Sequence, residues 1–165
     1  MRFLRSLSKQ DNALAVVKYV LSALDIKVTQ TSIRNIKRHV DYPGLSSISD
    51  NFHEWGIDNM GVKLMPAQLY EIPYPAIGHI NDIPDRFIVL QKLVSDEVYY
   101  FDPESGNNIK EKVNDFAKKW SGVTLLIQAK NSEEAEYRKK KKLEITNNVG
   151  KLITVILLSI LTLPN

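Results

Sequence analysis

The sequence predicts an α+β domain in which three N-terminal helices pack on a mostly antiparallel sheet. Two observations carry this. Apolar residues recur at helical spacing from Leu14 to Trp55, and from Ile57 onward the pattern changes to alternation and short β-rich runs bounded by Gly, Pro, Asn and Asp. Helices gathered first and strands after them is the order of an α+β fold, not of alternating βαβ units.

Asn12 is placed to cap the first helix, with Leu14, Val17, Leu21 and Leu24 as its buried stripe. Thr31 is placed to cap a second helix carrying Ile33, Ile36 and Val40. That helix ends by Asp41-Tyr42, because Pro43 disfavours helical geometry in the residue before it. A third helix fits 46–55, with Leu45, Ile48, Phe52 and Trp55 on one face and Gly56 as its stop. Met60, Val62 and Leu64 then alternate as a half-buried strand does, 66–72 reads as a short helical turn, and 76–80 as a short strand entered past Pro73 and Pro75. The central stretch is 84–106. Its two apolar runs, 87–94 and 98–101, flank the turn Ser95-Asp96, and Asp102-Pro103-Glu104-Ser105-Gly106 closes the unit. Antiparallel pairing of these runs brings Arg86 and Asp102 to the same end of the sheet. Ile109 continues a strand, 113–120 is a short helix with Phe116 facing inward, and 123–128 is the last strand.

Composition narrows the function. An apolar share of 44% with 25% charged residues over 165 positions suits one globular domain and a tail. The pI of about 9.0 suggests nucleic acid until the charges are placed. Residues 1–130 hold 16 Lys and Arg against 15 Asp and Glu, and residues 131–165 hold 6 against 4. The domain is near neutral, and no nucleic-acid partner is expected. There is no cysteine, which excludes disulfides, thiolate nucleophiles and cysteine-based metal sites. His39, His53 and His79 fall in three different elements without ligand spacing, so neither a metal nor a cofactor is expected. Arg2 and Arg5 are followed by no apolar core of the length a secretory signal needs.

The expected domains are a folded unit at 1–130, a basic linker at 131–150 and a hydrophobic segment at 151–165. The linker contains Arg138-Lys139-Lys140-Lys141-Lys142, and the run 152–163 is interrupted only by Thr154, Ser159 and Thr162. A helical span needs about 20 apolar residues. The run is read first as the start of a transmembrane helix of a larger protein. A hydrophobic anchor, an interfacial helix and a core helix stay open beside that reading. Residues 138–163 would then meet the membrane, with the basic cluster on its cytoplasmic face.

Several short stretches match one family in order. These are Gln10-Asp11-Asn12-Ala13-Leu14, the proline-rich strand 73–80, Arg86-Phe87-Ile88-Val89-Leu90, Asp102-Pro103 and Trp120-Ser121-Gly122-Val123. Together residues 10–128 resemble the papain-like domain of the bacteriocin-processing, double-glycine-leader cysteine peptidases, cysteine peptidase family thirty-nine, usually attached to ABC exporters. The resemblance implies a papain-like fold. It places Asn12 where the family has its nucleophilic Cys, Arg86 where it has the catalytic His, and Ser6 where an oxyanion-stabilising Gln is expected. Only Asp102 keeps the family's residue. An amide does not ionise to a nucleophile, and a guanidinium with a pKa above about 12 takes no proton near neutrality. The resemblance therefore implies a domain that binds a peptide segment without cleaving it. Asp41-Tyr42-Pro43-Gly44-Leu45 through Asp50, with Glu54-Trp55-Gly56-Ile57, further resembles the cysteine-less version of this domain that precedes a vitamin K epoxide reductase-like membrane domain. The alternatives are a peptidase processing leader peptides for an ABC-type exporter, an accessory domain of a membrane thiol oxidoreductase, and an assembly module with no ligand.

Each singled-out residue also has a plain reading. Asn12 serves as a helix cap, and Arg86 and Asp102 form an ion pair, stand as two solvated side chains or bind a ligand. Tyr42, Tyr70 and Tyr74 flank prolines and are the candidates for lining a peptide groove, whereas Trp55 and Trp120 are read as core aromatics. Ser46, Ser47 and Ser49 lack the context of an activated serine.

Overall fold

The computed structural model describes residues 3–82 and 86–128, with side chains from Asn12 onward; the linker at 131–150 and the segment at 151–165 lie outside them. Helix α1 runs Phe3–Ala23. No Pro or Gly interrupts 3–11, so the helix starts well before Asn12, which is an interior residue and not its cap. Its buried stripe is Ala13, Val16, Val17, Val20 and Leu21, at i, i+3, i+4, i+7 and i+8, while Leu14 and Leu24 are only partly buried. The helix stops where Asp25 turns left-handed at φ 52. Ile26 N–H then bonds Leu21 O at 2.8 Å and Asp25 N–H bonds Ser22 O at 3.2 Å, closing the last turn.

Helix α2, Gln30–Asn35, is capped by the buried Thr29 in place of Thr31; its hydroxyl accepts from Ser32 N–H at 3.2 Å. A 3-10 turn, Ile36–Arg38, ends it. Ile33 and Ile36 are buried as expected, but Val40 lies beyond the turn and is 91% exposed. Helix α3, Leu45–Glu54, buries Ile48 and Phe52 and stops at Gly56, whose φ of 74 suits glycine. Trp55 and Trp120 are both buried.

The strands are β1 (Asp58–Lys63), β2 (Ala76–Ile80), β3 (Arg86–Val94), β4 (Glu97–Asp102), β5 (Asn107–Lys112) and β6 (Trp120–Gln128), with a 3-10 turn at Pro66–Tyr70 and helix α4 at Val113–Lys119. They form one sheet in the order β1-β6-β2-β3-β4-β5, every neighbouring pair antiparallel. Alternation gives the sheet two apolar faces. Ile77, Val89, Leu125 and Ile127 meet α1, α2 and α3, whereas Ala76, Ile88, Leu90 and Tyr100 meet Leu69, Val113 and Phe116 from the 3-10 turn and α4. The sheet is thus covered by the N-terminal helices on one side and by a thinner layer on the other.

On that thinner side the Tyr74 hydroxyl donates to Leu69 O at 2.6 Å, and burial pushes its phenol up to about 12. An unfolded tyrosine releases its proton near pH 10. Stability from this group is therefore complete below about pH 10 and lost as pH rises through about 12. Urea unfolding across that window should show a falling midpoint, and Tyr74→Phe should flatten part of the fall.

Candidate functional site

Leu64 N–H bonds Gly122 O at 2.9 Å, which fixes the phase of the β1–β6 ladder. Carried through the registers of β6, β2 and β3, the alternation turns the N–H and C=O of Phe87 and Val89 toward β4. Val89 pairs with Phe101. β4 ends at Asp102, and the groups of Phe87 are met instead by Asn12 of α1. Asn12 Nδ2–H donates to Phe87 O at 3.1 Å, and Phe87 N–H donates to Asn12 Oδ1 at 2.8 Å. The amide completes the ladder as a strand neighbour would.

Next to it, the Arg86 guanidinium sits among three carboxylates. Nη1 donates to Glu104 Oε2 at 2.9 Å, and Nη2 lies 3.2 Å from Asp82 Oδ2 and 3.5 Å from Asp102 Oδ2. Of the readings left open for Arg86 and Asp102, the ion pair is present and the two solvated side chains are not. Asp102 is buried, its Oδ1 accepts Glu104 N–H at 3.0 Å, and Gly106 N–H closes the turn on Asp102 O at 2.9 Å. Asp82 and Glu104 are more exposed, and such pairs are worth about 0–1 kcal/mol each. The Asp102 pair matters more, since without the guanidinium a buried carboxylate loses its counter-charge. An amide bonded at both ends and a guanidinium ringed by carboxylates supply no nucleophile and no base at these two positions. The Ser6 side chain lies outside those described.

The three tyrosines do not share a groove. Tyr42 packs on the cluster under the N-terminal helices, Tyr74 packs on the cluster of the opposite face, and Tyr70, 56% exposed, donates its hydroxyl to Asp96 at 2.9 Å. The sheet separates the first from the other two.

Of the hydroxyls, Ser46 donates to the Asp41 carboxylate at an exposed site, Ser47 to Gly44 O and Ser49 to Asn59, and none of the three is bonded to a histidine. Ser121 lies 3.0 Å from His79 Nδ1. Its hydroxyl donates to His79 O and accepts from Val123 N–H, which makes it a structural brace of β2 and β6. His39 Nε2 lies 3.0 Å from Asp50 Oδ2 while its Nδ1 accepts Asp41 N–H, pinning the loop to α3. Among the described residues no cluster of three or more His, Cys, Asp or Glu is arranged to hold a metal ion. No described helix is long and apolar enough to cross a membrane. The Asn12–Phe87 pairing and the places of Asp82 and Glu104 were not read from the sequence. The only local signal is that Asp82 stands four residues before Arg86 and Glu104 two after Asp102.

The peptidase C39 family model matches residues 2–132. The chain belongs to the peptidase C39 family. A curated relative, the lactococcin-G-processing and transport ATP-binding protein LagD of Lactococcus lactis subsp. lactis, is 28% identical over 136 residues, 79% of this chain and 18% of the relative. The chain thus spans less than a fifth of that relative's length. Two solved structures carry the same fold. The double glycine motif protease from an AMS/PCAT transporter, in complex with the leader peptide, superposes with a TM-score of 0.63 at 21% identity, covering 72% of this chain and 84% of that one. The peptidase domain of Streptococcus ComA, a bi-functional ABC transporter, gives 0.62 at 15%, covering 73% and 93%. The α+β, papain-like C39 fold expected from the sequence is the one present.

Loss of either half of the Asn12–Phe87 pairing orphans a backbone group. Asn12→Ala is expected to lower the free energy of unfolding by about 2 kcal/mol, read by urea denaturation. Arg86→Met should lower it by a similar ~2 kcal/mol through Asp102, while Glu104→Gln should move it by less than about 1 kcal/mol.

Proposed function

We propose that this chain is a non-catalytic peptidase-like domain of a membrane protein, binding a peptide segment without cleaving it. The observation that carries the reading is the pairing of the Asn12 amide with the Phe87 backbone beside an Arg86 guanidinium held by carboxylates. These are the positions at which the family resemblance expects a nucleophile and a base. In a template hydrolase, loss of the nucleophile alone costs on the order of 10⁶ in turnover. A recognition surface does not need that chemistry, and the double glycine motif protease is described in complex with the leader peptide, while LagD is named for lactococcin-G processing and transport. The peptide is then of the leader kind, or a loop of the protein's own membrane domain, held between the helices and the sheet. The basic run 138–142 and the apolar run 152–163 support a position at the cytoplasmic face of the membrane with attachment through the C-terminal segment, and the resemblance carried by 41–57 supports a vitamin K epoxide reductase-like membrane domain as the partner.

Family membership itself favours a second reading, a peptidase that processes leaders for an ABC-type exporter through a nucleophile outside the family positions. Service to a membrane thiol oxidoreductase is a third. Its disulfide exchange would occur elsewhere, since this chain has no thiol.

The test incubates the full chain with labelled double-glycine leader peptides, reading anisotropy and mass spectra, beside the Asn12→Cys, Arg86→His double variant. Binding without cleavage by the unaltered chain, and cleavage by the folded double variant, is the expected result. Cleavage by the unaltered chain would overturn the proposal, and absence of binding would favour an assembly module.

A further inference from the structure

Among the described residues the sheet has two edge strands, β1 and β5, and they are built differently. β5 carries Lys110, Glu111 and Lys112 in its last three positions, with Lys110 bonded to Glu97 at 2.9 Å. Charges along an edge discourage the addition of another strand. β1 keeps its charges at its two ends, Asp58 and Lys63, and leaves Asn59-Met60-Gly61-Val62 uncharged between them. The ladder phase set by Leu64 directs the backbone groups of Met60 and Val62 to β6 and those of Asn59, Gly61 and Lys63 outward. Gly61 is exposed, and a Cβ placed there would meet nothing within 4 Å, so another backbone can approach closely. Met60 is 59% exposed and borders a cavity of about 300 Å³ with Pro73 and Leu126.

We propose that β1 is a self-pairing edge through which two copies of this chain form a two-fold antiparallel dimer. A two-fold axis between antiparallel edge strands stands perpendicular to the sheet and passes between two copies of the same residue. Centred on Gly61, it brings every outward group into a hydrogen-bonded pair: Gly61 with the partner's Gly61, Asn59 with the partner's Lys63, and Lys63 with the partner's Asn59. Met60 then stands opposite the partner's Val62, closing apolar surface beside the cavity on the face away from the N-terminal helices. Antiparallel pairing also lays the basic end of each strand beside the acidic end of the other. That charge match selects this strand itself over an arbitrary extended peptide. The inference is independent of the peptide-binding proposal.

The absence of cysteine makes the test direct, because Gly61→Cys introduces one thiol per chain. Cα atoms in such a pair lie about 5.5 Å apart, within disulfide reach. Sedimentation velocity of the full chain should show a dimer that forms with rising concentration, and mild oxidation should link the Gly61→Cys chains covalently. Asn108→Cys on β5 should stay unlinked. Met60→Lys should abolish the dimer with thermal unfolding unchanged, since this side chain is already largely solvated. A chain that stays monomeric, equal linking at Asn108, or a dimer that survives Met60→Lys would overturn the proposal.

Discussion

A β-ladder cannot simply stop inside a protein, because each N–H and C=O it leaves behind must find a partner or carry a desolvation penalty. Here that constraint falls on Phe87. Its strand lies inside the sheet, β4 leaves at the Asp102-Pro103 turn, and α1 crosses just there with an amide that offers one donor and one acceptor in the geometry of a peptide. The same contact fixes α1 against the sheet. Further along, the Tyr19 ring stacks on Phe101 at 4.4 Å between centroids, and Gln91 bonds the Tyr19 hydroxyl. Helix and sheet are therefore held in one register along β3 and β4, and the apolar cluster under the N-terminal helices forms around that seam.

The electrostatics of the sheet end follow from the seam. Asp102 is buried by the turn that takes β4 away, and a buried carboxylate needs a counter-charge. Arg86, at the start of β3, reaches it and gathers Asp82 and Glu104 as well. A guanidinium serves this purpose better than an imidazole, since it keeps its charge at any physiological pH. What the C39 fold leaves at this end is a cross-braced corner, and the proposed role in binding rests on the surface around it.

A half-buried charge lies on the opposite face. Lys119 donates to the Tyr100 hydroxyl at 2.8 Å and lies 2.8 Å from Glu111. Burial by itself would lower its pKa, but its hydrogen bonds to Glu111 and Tyr100 and the charges of those two groups together outweigh it and raise the value. This trio ties α4 to β4 and β5 and leaves that edge of the sheet charged, whereas the β1 edge has no such guard.

Local chemistry determined much of this from sequence alone. Helices before strands, the Ser95-Asp96 turn, the glycine stop at Gly56 and the meeting of Arg86 with Asp102 follow from periodicity, backbone preferences and antiparallel pairing. Capping was misread twice. Thr29 and Thr31 have the same side chain, and only packing decides which one starts α2; residues 3–11 carry no breaker, and only the fold shows that α1 runs through them to make Asn12 an interior residue. The grouping of Tyr42, Tyr70 and Tyr74 rested on their neighbouring prolines, which say nothing about the face of the sheet on which each side chain falls. Tertiary structure alone decided the partner of Asn12, because residues 75 positions apart meet only when a helix crosses the end of a ladder, and a backbone group left open there has no signature in the sequence.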